Sequence, residues 1–291
     1  MFVDPQQVKT GINVGFLILA GLAILFLVTK YGYIHCSTIP HWCKVYATIN
    51  KAIYGRSYPL ILILHGDRGL GDPLFLEKYI RNKCHYNVHS RDIGSVSLGN
   101  LENFDVVVVE KARYLTADQL EMLWDFVAKG GKLVIIGDVG VEGPEEEYLT
   151  WEDLGEKNKE GIVNPWDRKK EDGTIIDFGS SLLGLKFYGI YGEKNSFSGE
   201  LRTEDDILTD GMPRILDLNT AFAVTKPYGT SVLGSPKVVA YITGVGSVGG
   251  ARPPYPAAVR IGYRLIYLAY PPEEGGLYHL LLLRNLCRVV T

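Results

Sequence analysis

The sequence predicts an α/β fold built on a doubly wound, mostly parallel sheet and preceded by one N-terminal apolar helix. Three observations carry this. Short apolar runs recur as "YPLILIL" (58–64), "FDVVVVE" (104–110) and "KLVIIG" (132–137), the pattern of strands buried on both faces. Segments with helical apolar spacing lie between them, so strand and helix alternate with short connections. Ahead of both, "TGINVGFLILAGLAILFLVT" (10–29) is twenty residues without a charge, bracketed by Lys9 and Lys30.

That uncharged run is long enough, at a rise of 1.5 Å per residue, for about 30 Å of helix, the thickness of a bilayer core. It is read as a transmembrane helix over 12–30, surrounded by lipid, behind a short tail (1–11). No small-x-small cleavage site follows, and Lys30-Tyr31-Gly32-Tyr33 has the composition of an interfacial belt. Gly15, Ala20, Gly21 and Ala23 would let a second helix approach closely, so a protein partner in or near the membrane is expected.

The juxtamembrane segment (31–57) contains "HCSTIPHWC". Three readings compete for His35, Cys36, His41 and Cys43: a Cys36–Cys43 disulfide, a metal site of two cysteines and two histidines, or separately packed side chains. Four ligands within nine residues leave the backbone little room for a tetrahedron, which favours the disulfide. A disulfide in turn favours an extracytoplasmic globular domain on a single-pass cell-membrane protein. Lys30 and Lys44 outnumber Lys9 and pull weakly the other way.

Residues 58–291 are expected to form one domain. After its first strand, "GDPLFLEKYIRNK" starts a helix with Asp72 as N-cap and Pro73 at the first helical position. A short strand near "YNVHS" and the strand "FDVVVVE" follow. A second helix starts at Thr116, with Thr116 and Gln119 as a capping box, Leu120, Leu123, Trp124 and Val127 on one face, and Gly130-Gly131 as its stop. From 142 to 173 about half the residues are charged and no period persists, which reads as a surface excursion. A partner-binding lid is the alternative, because Trp151 and Trp166 are costly to expose. Strands resume with "SSLLGLKFYG", "PKVVAYITG" and "YRLIYLAY", and the chain closes on a leucine-striped helix in which His279 reads as packed or superficial. Cys84 and Cys287 read as ordinary thiols.

Composition excludes two classes of function. With 46% hydrophobic residues, 22% charged and a net charge of −3, the chain is neither disordered nor a nucleic-acid binder, and no run of Lys and Arg interleaves with aromatics.

The order of these elements, with "GGKLVIIGDVG" (130–140), "DDILTDGMP" (205–213) and "AYPPEEGG" (269–276), resembles the class I glutamine amidotransferase-like superfamily over Tyr58 to Val290. It is most similar to the membrane-associated branches that are not amidotransferases. The resemblance implies a flavodoxin-like sheet. In catalytic members a Gly-x-Cys-x-Gly elbow carries the nucleophile at a strand-to-helix turn, and a His-Pro-Glu supplies the base and its orienting acid. The elbow matches Ile136 to Gly140 and puts the nucleophile's place at Asp138. The second motif matches Pro271-Pro272-Glu273 and puts the base's place at Pro271, so only Glu273 survives. Without an imidazole, acyl transfer has no proton route.

The function expected is therefore a non-catalytic, membrane-tethered scaffold or accessory subunit without a cofactor. The alternative is a membrane-anchored hydrolase or carbohydrate-active enzyme using Asp67, Asp138 and Glu273 at the carboxyl edge of the sheet. Convergence of those carboxylates in one pocket would discriminate the two. The loop "HGDRGLGDP" matches neither Gly-x-Gly-x-x-Gly nor a P-loop, so Gly66, Gly69 and Gly71 are read as allowing a tight turn.

Overall fold

The computed structural model describes residues 5–30, 42–54, 59–84, 86–156 and 159–289. The chain divides into two compact units, residues 1–57 with residue 291, and residues 58–290.

The first unit contains helices α1 (Pro5–Lys30) and α2 (Trp42–Tyr54). The Trp42 indole donates to the Thr29 hydroxyl at 2.8 Å, and the rings of Phe26 and Tyr46 lie 5.1 Å apart. Beyond these contacts α1 presents Phe16, Leu17, Ile18, Leu19, Ile24 and Leu27 to the outside. The transmembrane span expected over 12–30 is corrected here: among the described residues, no helix is long and apolar enough to cross a membrane. The single-pass cell-membrane topology and the extracytoplasmic placement built on that span are withdrawn with it. His35, Cys36, His41 and the Cys43 side chain lie outside the described residues, and with them the expected disulfide and its metal-site alternative.

The second unit is built on one nine-stranded sheet. Its strands are β1 (Leu60–His65), β2 (Asn87–Asp92), β3 (Val106–Val109), β4 (Lys132–Ile136), β8 (Gly199–Thr203), β9 (Ile215–Leu218), β11 (Pro236–Thr243), β12 (Tyr255–Ile261) and β13 (Leu265–Leu268). They lie in the order β2-β1-β3-β4-β13-β12-β11-β8-β9. The first five are parallel, as the sequence predicts, and the last four extend the sheet with antiparallel pairings at one side. Strands on both sides of the charged excursion thus share one sheet. Two antiparallel pairs complete the strands, β5 (Asp167–Lys169) with β6 (Ile175–Asp177) and β7 (Leu185–Tyr191) with β10 (Phe222–Pro227).

Alternation along the strands fills two cores. Ile61, Ile63, Val106, Val108, Val134 and Ile136 face one side, under α3 (Pro73–Cys84) and α6 (Leu280–Val289). Leu62, Leu64, Val107, Val109, Leu133 and Ile135 face the other, under α4 (Leu98–Leu101) and α5 (Ala117–Ala128). A period of two with apolar residues on both faces is what a doubly covered sheet requires. The helix starts are as the sequence reads them. The Asp72 carboxylate accepts from the amides of Leu74 and Phe75, and Thr116 and Gln119 form a reciprocal capping box.

Two readings are corrected in this unit. Cys84 and Cys287 are not ordinary thiols: they form a disulfide that joins the end of α3 to α6 across 203 residues of sequence. The charged excursion does not merely pass over the surface. Trp166 and Arg168 within it are fully buried, because each fills a place behind the turn after β4.

Candidate functional site

The turn after β4 sits at the carboxyl edge of the parallel strands, where ligands of open α/β sheets assemble. Asp138 occupies its tip and is fully buried. One carboxylate oxygen accepts the Leu70 amide at 2.9 Å, from the loop after β1. The other accepts from Nε of Arg113, on the connection after β3. Three loop segments are therefore tied together by one side chain. The guanidinium of Arg113 continues to Glu193, and its Nη1 lies 3.9 Å from Glu142. Burial works against the charge on Arg113, but the carboxylates of Glu193 and Asp138 outweigh it and hold the guanidinium above its ordinary range.

The backbone of the turn is committed as well. The Trp166 indole donates to the Val139 carbonyl at 2.6 Å, Arg168 to the Gly140 carbonyl at 3.1 Å, and the Tyr267 hydroxyl to the Gly137 carbonyl at 3.3 Å. Burial, and then the nearby Asp138 charge, push the Tyr267 phenol far above its usual range. No α-helix follows the turn directly; the next regular element is a short 3-10 turn at Glu145–Glu147. A nucleophile elbow presents its side chain from a strained turn, with amides at a helix N-terminus aimed at an oxyanion. Here the side chain is buried in an ion pair. Among the described residues the non-glycine residue at positive φ is Lys111 (53°), not Asp138.

The other sequence-derived residues lie elsewhere. Asp67 is exposed, its side chain 87% accessible and 3.9 Å from Arg68. Pro271, at the base's place, is buried and cannot transfer a proton. His279, the nearest histidine after it in sequence, is buried between the Tyr270 hydroxyl (2.8 Å) and the Asp217 carbonyl (3.0 Å). Burial depresses its pKa, the Asp217 carbonyl opposing. Glu273 accepts the Asp72 amide at 3.1 Å, which connects it to the start of α3 rather than to Asp138. The three carboxylates of the enzyme alternative thus have three separate sets of partners.

Sequence reasoning misses Glu273's neighbour. Glu110 follows β3 directly and is fully buried, without a basic or backbone donor on either oxygen. Burial, and next the adjacent Glu273, raise its pKa well above the carboxylate range; burial also raises that of Glu273, against the Asp72 amide. Two buried carboxyls in contact repel when both are ionised, so their proximity favours a proton shared within the pair. The available signal was a charged residue ending the all-apolar run "FDVVVVE". Arg113 is the second residue missed, and "KARY" carries no pattern that singles it out. Gly69 and Gly71 have φ of +127° and +112°, the backbone freedom the tight-turn reading gave them, and both positions are also closely packed. A Cβ on Gly71 would meet the Glu110 carboxyl at 2.5 Å, and one on Gly69 would meet Asp138 and Lys111 at 3.1 Å. Among the described residues no group of three or more His, Cys, Asp or Glu is placed to hold a metal.

No known family's sequence pattern matches the chain, and no curated protein does. Solved structures do. A ThuA-like protein from Bacteroides uniformis ATCC 8492 superposes with a TM-score of 0.56 at 14% identity, over 80% of this chain and 92% of that one. A beta-galactosidase from Rahnella sp. R3 gives 0.50 at 13% identity, over 84% of this chain and 34% of that much longer one. A GMP synthase protein from Thermoplasma acidophilum gives 0.46 at 10% identity, over 80% and 94%. At these identities the likeness is one of fold alone: the chain shares a mixed α/β sheet architecture with the ThuA-like protein.

Proposed function

We propose that the protein is a non-catalytic scaffold or accessory subunit, in which a glutamine amidotransferase-like domain has lost its chemistry and α1 supplies the contact with a partner protein. The observation that carries this is the state of Asp138. The nucleophile's place holds a carboxylate that is fully buried, paired to Arg113 and bonded to the Leu70 amide. A group in that state has neither access to a substrate nor a base to activate it. Support for the partner comes from α1, where Phe16, Leu17 and Leu19 are each more than two-thirds exposed. An apolar helix surface of this extent is suited to packing against another protein.

Affinity purification of the full chain in mild detergent, followed by mass spectrometry, tests the reading. A stoichiometric partner is expected with the wild type and with Asp138→Asn, and its loss with the double variant Phe16→Glu, Leu19→Glu. Recovery of the same partner by that double variant would contradict the assignment of α1. Turnover of any ester, amide or glycoside that Asp138→Asn abolishes would contradict the non-catalytic assignment.

A further inference from the structure

Beside Arg113 an open groove of about 530 Å³ runs over the domain, with Val141, Phe187 and Ile190 as its apolar wall and Glu193 and Lys194 at its rim. The guanidinium is held from behind. Its Nε is bonded to buried Asp138, which leaves the Nη edge facing the groove. That edge is only half used. Nη2 reaches Glu193, whose side chain is 39% exposed on the connection between β7 and β8, while Nη1 is 3.9 Å from Glu142, beyond hydrogen-bond length.

We infer that this groove binds a small carboxylate with an apolar body, and that Glu193 is a built-in competitor occupying the ligand carboxylate's place on Arg113. A planar carboxylate matches the two Nη donors of a guanidinium in a bidentate pair, which the single contact from Glu193 does not achieve. Releasing Glu193 returns a partly exposed carboxylate to water, while Arg113 keeps its bond to buried Asp138. With Glu193 turned to solvent, the charged side chains left lining the groove are Arg113, Lys194 and Glu142, with Asp138 buried behind Arg113 and Glu142 shared with Arg68 at 3.7 Å. The ligand's apolar body would lie against Phe187 and Ile190, both partly exposed. This site is independent of α1 and of any partner there.

Calorimetric titration of the full chain with benzoate, and with benzamide as its neutral counterpart, tests the inference. Saturable binding of benzoate and none of benzamide is expected for the wild type. Glu193→Gln should tighten benzoate binding about two- to fivefold, the worth of one exposed ion pair. Arg113→Lys, which keeps the charge but not the fork, should weaken it by about tenfold or more. Absence of saturable benzoate binding in both wild type and Glu193→Gln overturns the site. So does benzamide binding as tightly as benzoate, or Glu193→Gln binding no tighter than wild type. If Arg113→Lys does not fold, the other two comparisons decide alone.

Discussion

Asp138 and Glu110 stand close in the fold but differ in chemistry. Asp138 has a cation and an amide, so its burial is compensated. Glu110 has neither, and its raised pKa, caused by burial and then by Glu273, is the response. A carboxyl whose folded pKa lies above its unfolded value contributes stability that is full below the unfolded value and drains as pH rises through the folded one. Glu110→Gln removes that titration while keeping a donor toward Glu273. Thermal melts from pH about 5 to about 8 should therefore show the wild type losing ground steadily to Glu110→Gln. A pH-independent difference between the two would mean that the pair does not titrate in this range. At this scale the sequence was legible only in part. A motif resemblance singles out Asp138 and Pro271, and the structure buries both. Sequence reasoning missed Glu110 and Arg113, because a buried acid pair and a buried ion pair are tertiary contacts with no local spacing.

Helices and strands were more legible than side-chain partners, since amphipathic period and capping are local. The starts at Asp72 and Thr116 and the two-faced strands are written in consecutive residues. The charged excursion was not legible, because its composition is dominated by solvated charges while its structure depends on Trp166 and Arg168, which reach the carbonyls of Val139 and Gly140. The Cys84–Cys287 link was equally hidden, as nothing in either neighbourhood marks a pair 203 residues apart. It fastens α3 and α6, which are also linked by hydrogen bonds from Tyr79 of α3 to the Leu280 carbonyl and from Tyr86, just beyond α3, to the Cys287 carbonyl. Closing so long a loop restricts the unfolded chain by about 5 kcal/mol on the chain-entropy account. Reduction should lower the melting temperature by about 10 °C or more, and Cys84→Ser should melt alike with and without reductant. An unchanged melt after thiol titration has verified reduction would show that α6 is held by packing alone.

On the scale of the whole molecule, the two units differ in how they meet water. Residues 58–290 enclose a core on each face of one sheet, whereas α1 leaves most of its apolar surface uncovered. A chain beginning at Tyr58 should therefore unfold in a single cooperative transition within a few degrees of the full chain, as followed by circular dichroism. A broad, non-cooperative melt would mean that the first unit completes the domain's core.

The non-catalytic state of the elbow is the claim on which the functional account rests, and Asp138→Asn addresses it most directly. Removing the charge leaves Arg113 without its buried partner, so the variant should lose about 3 kcal/mol of stability and melt lower than the wild type. The decisive measurement is complementation of a deletion strain by Asp138→Asn, at a growth temperature well below the variant's melt. The variant is expected to restore the wild-type phenotype. Failure to complement, by a variant shown to be folded and present at wild-type levels at that temperature, would contradict the non-catalytic assignment and make Asp138 a reacting group.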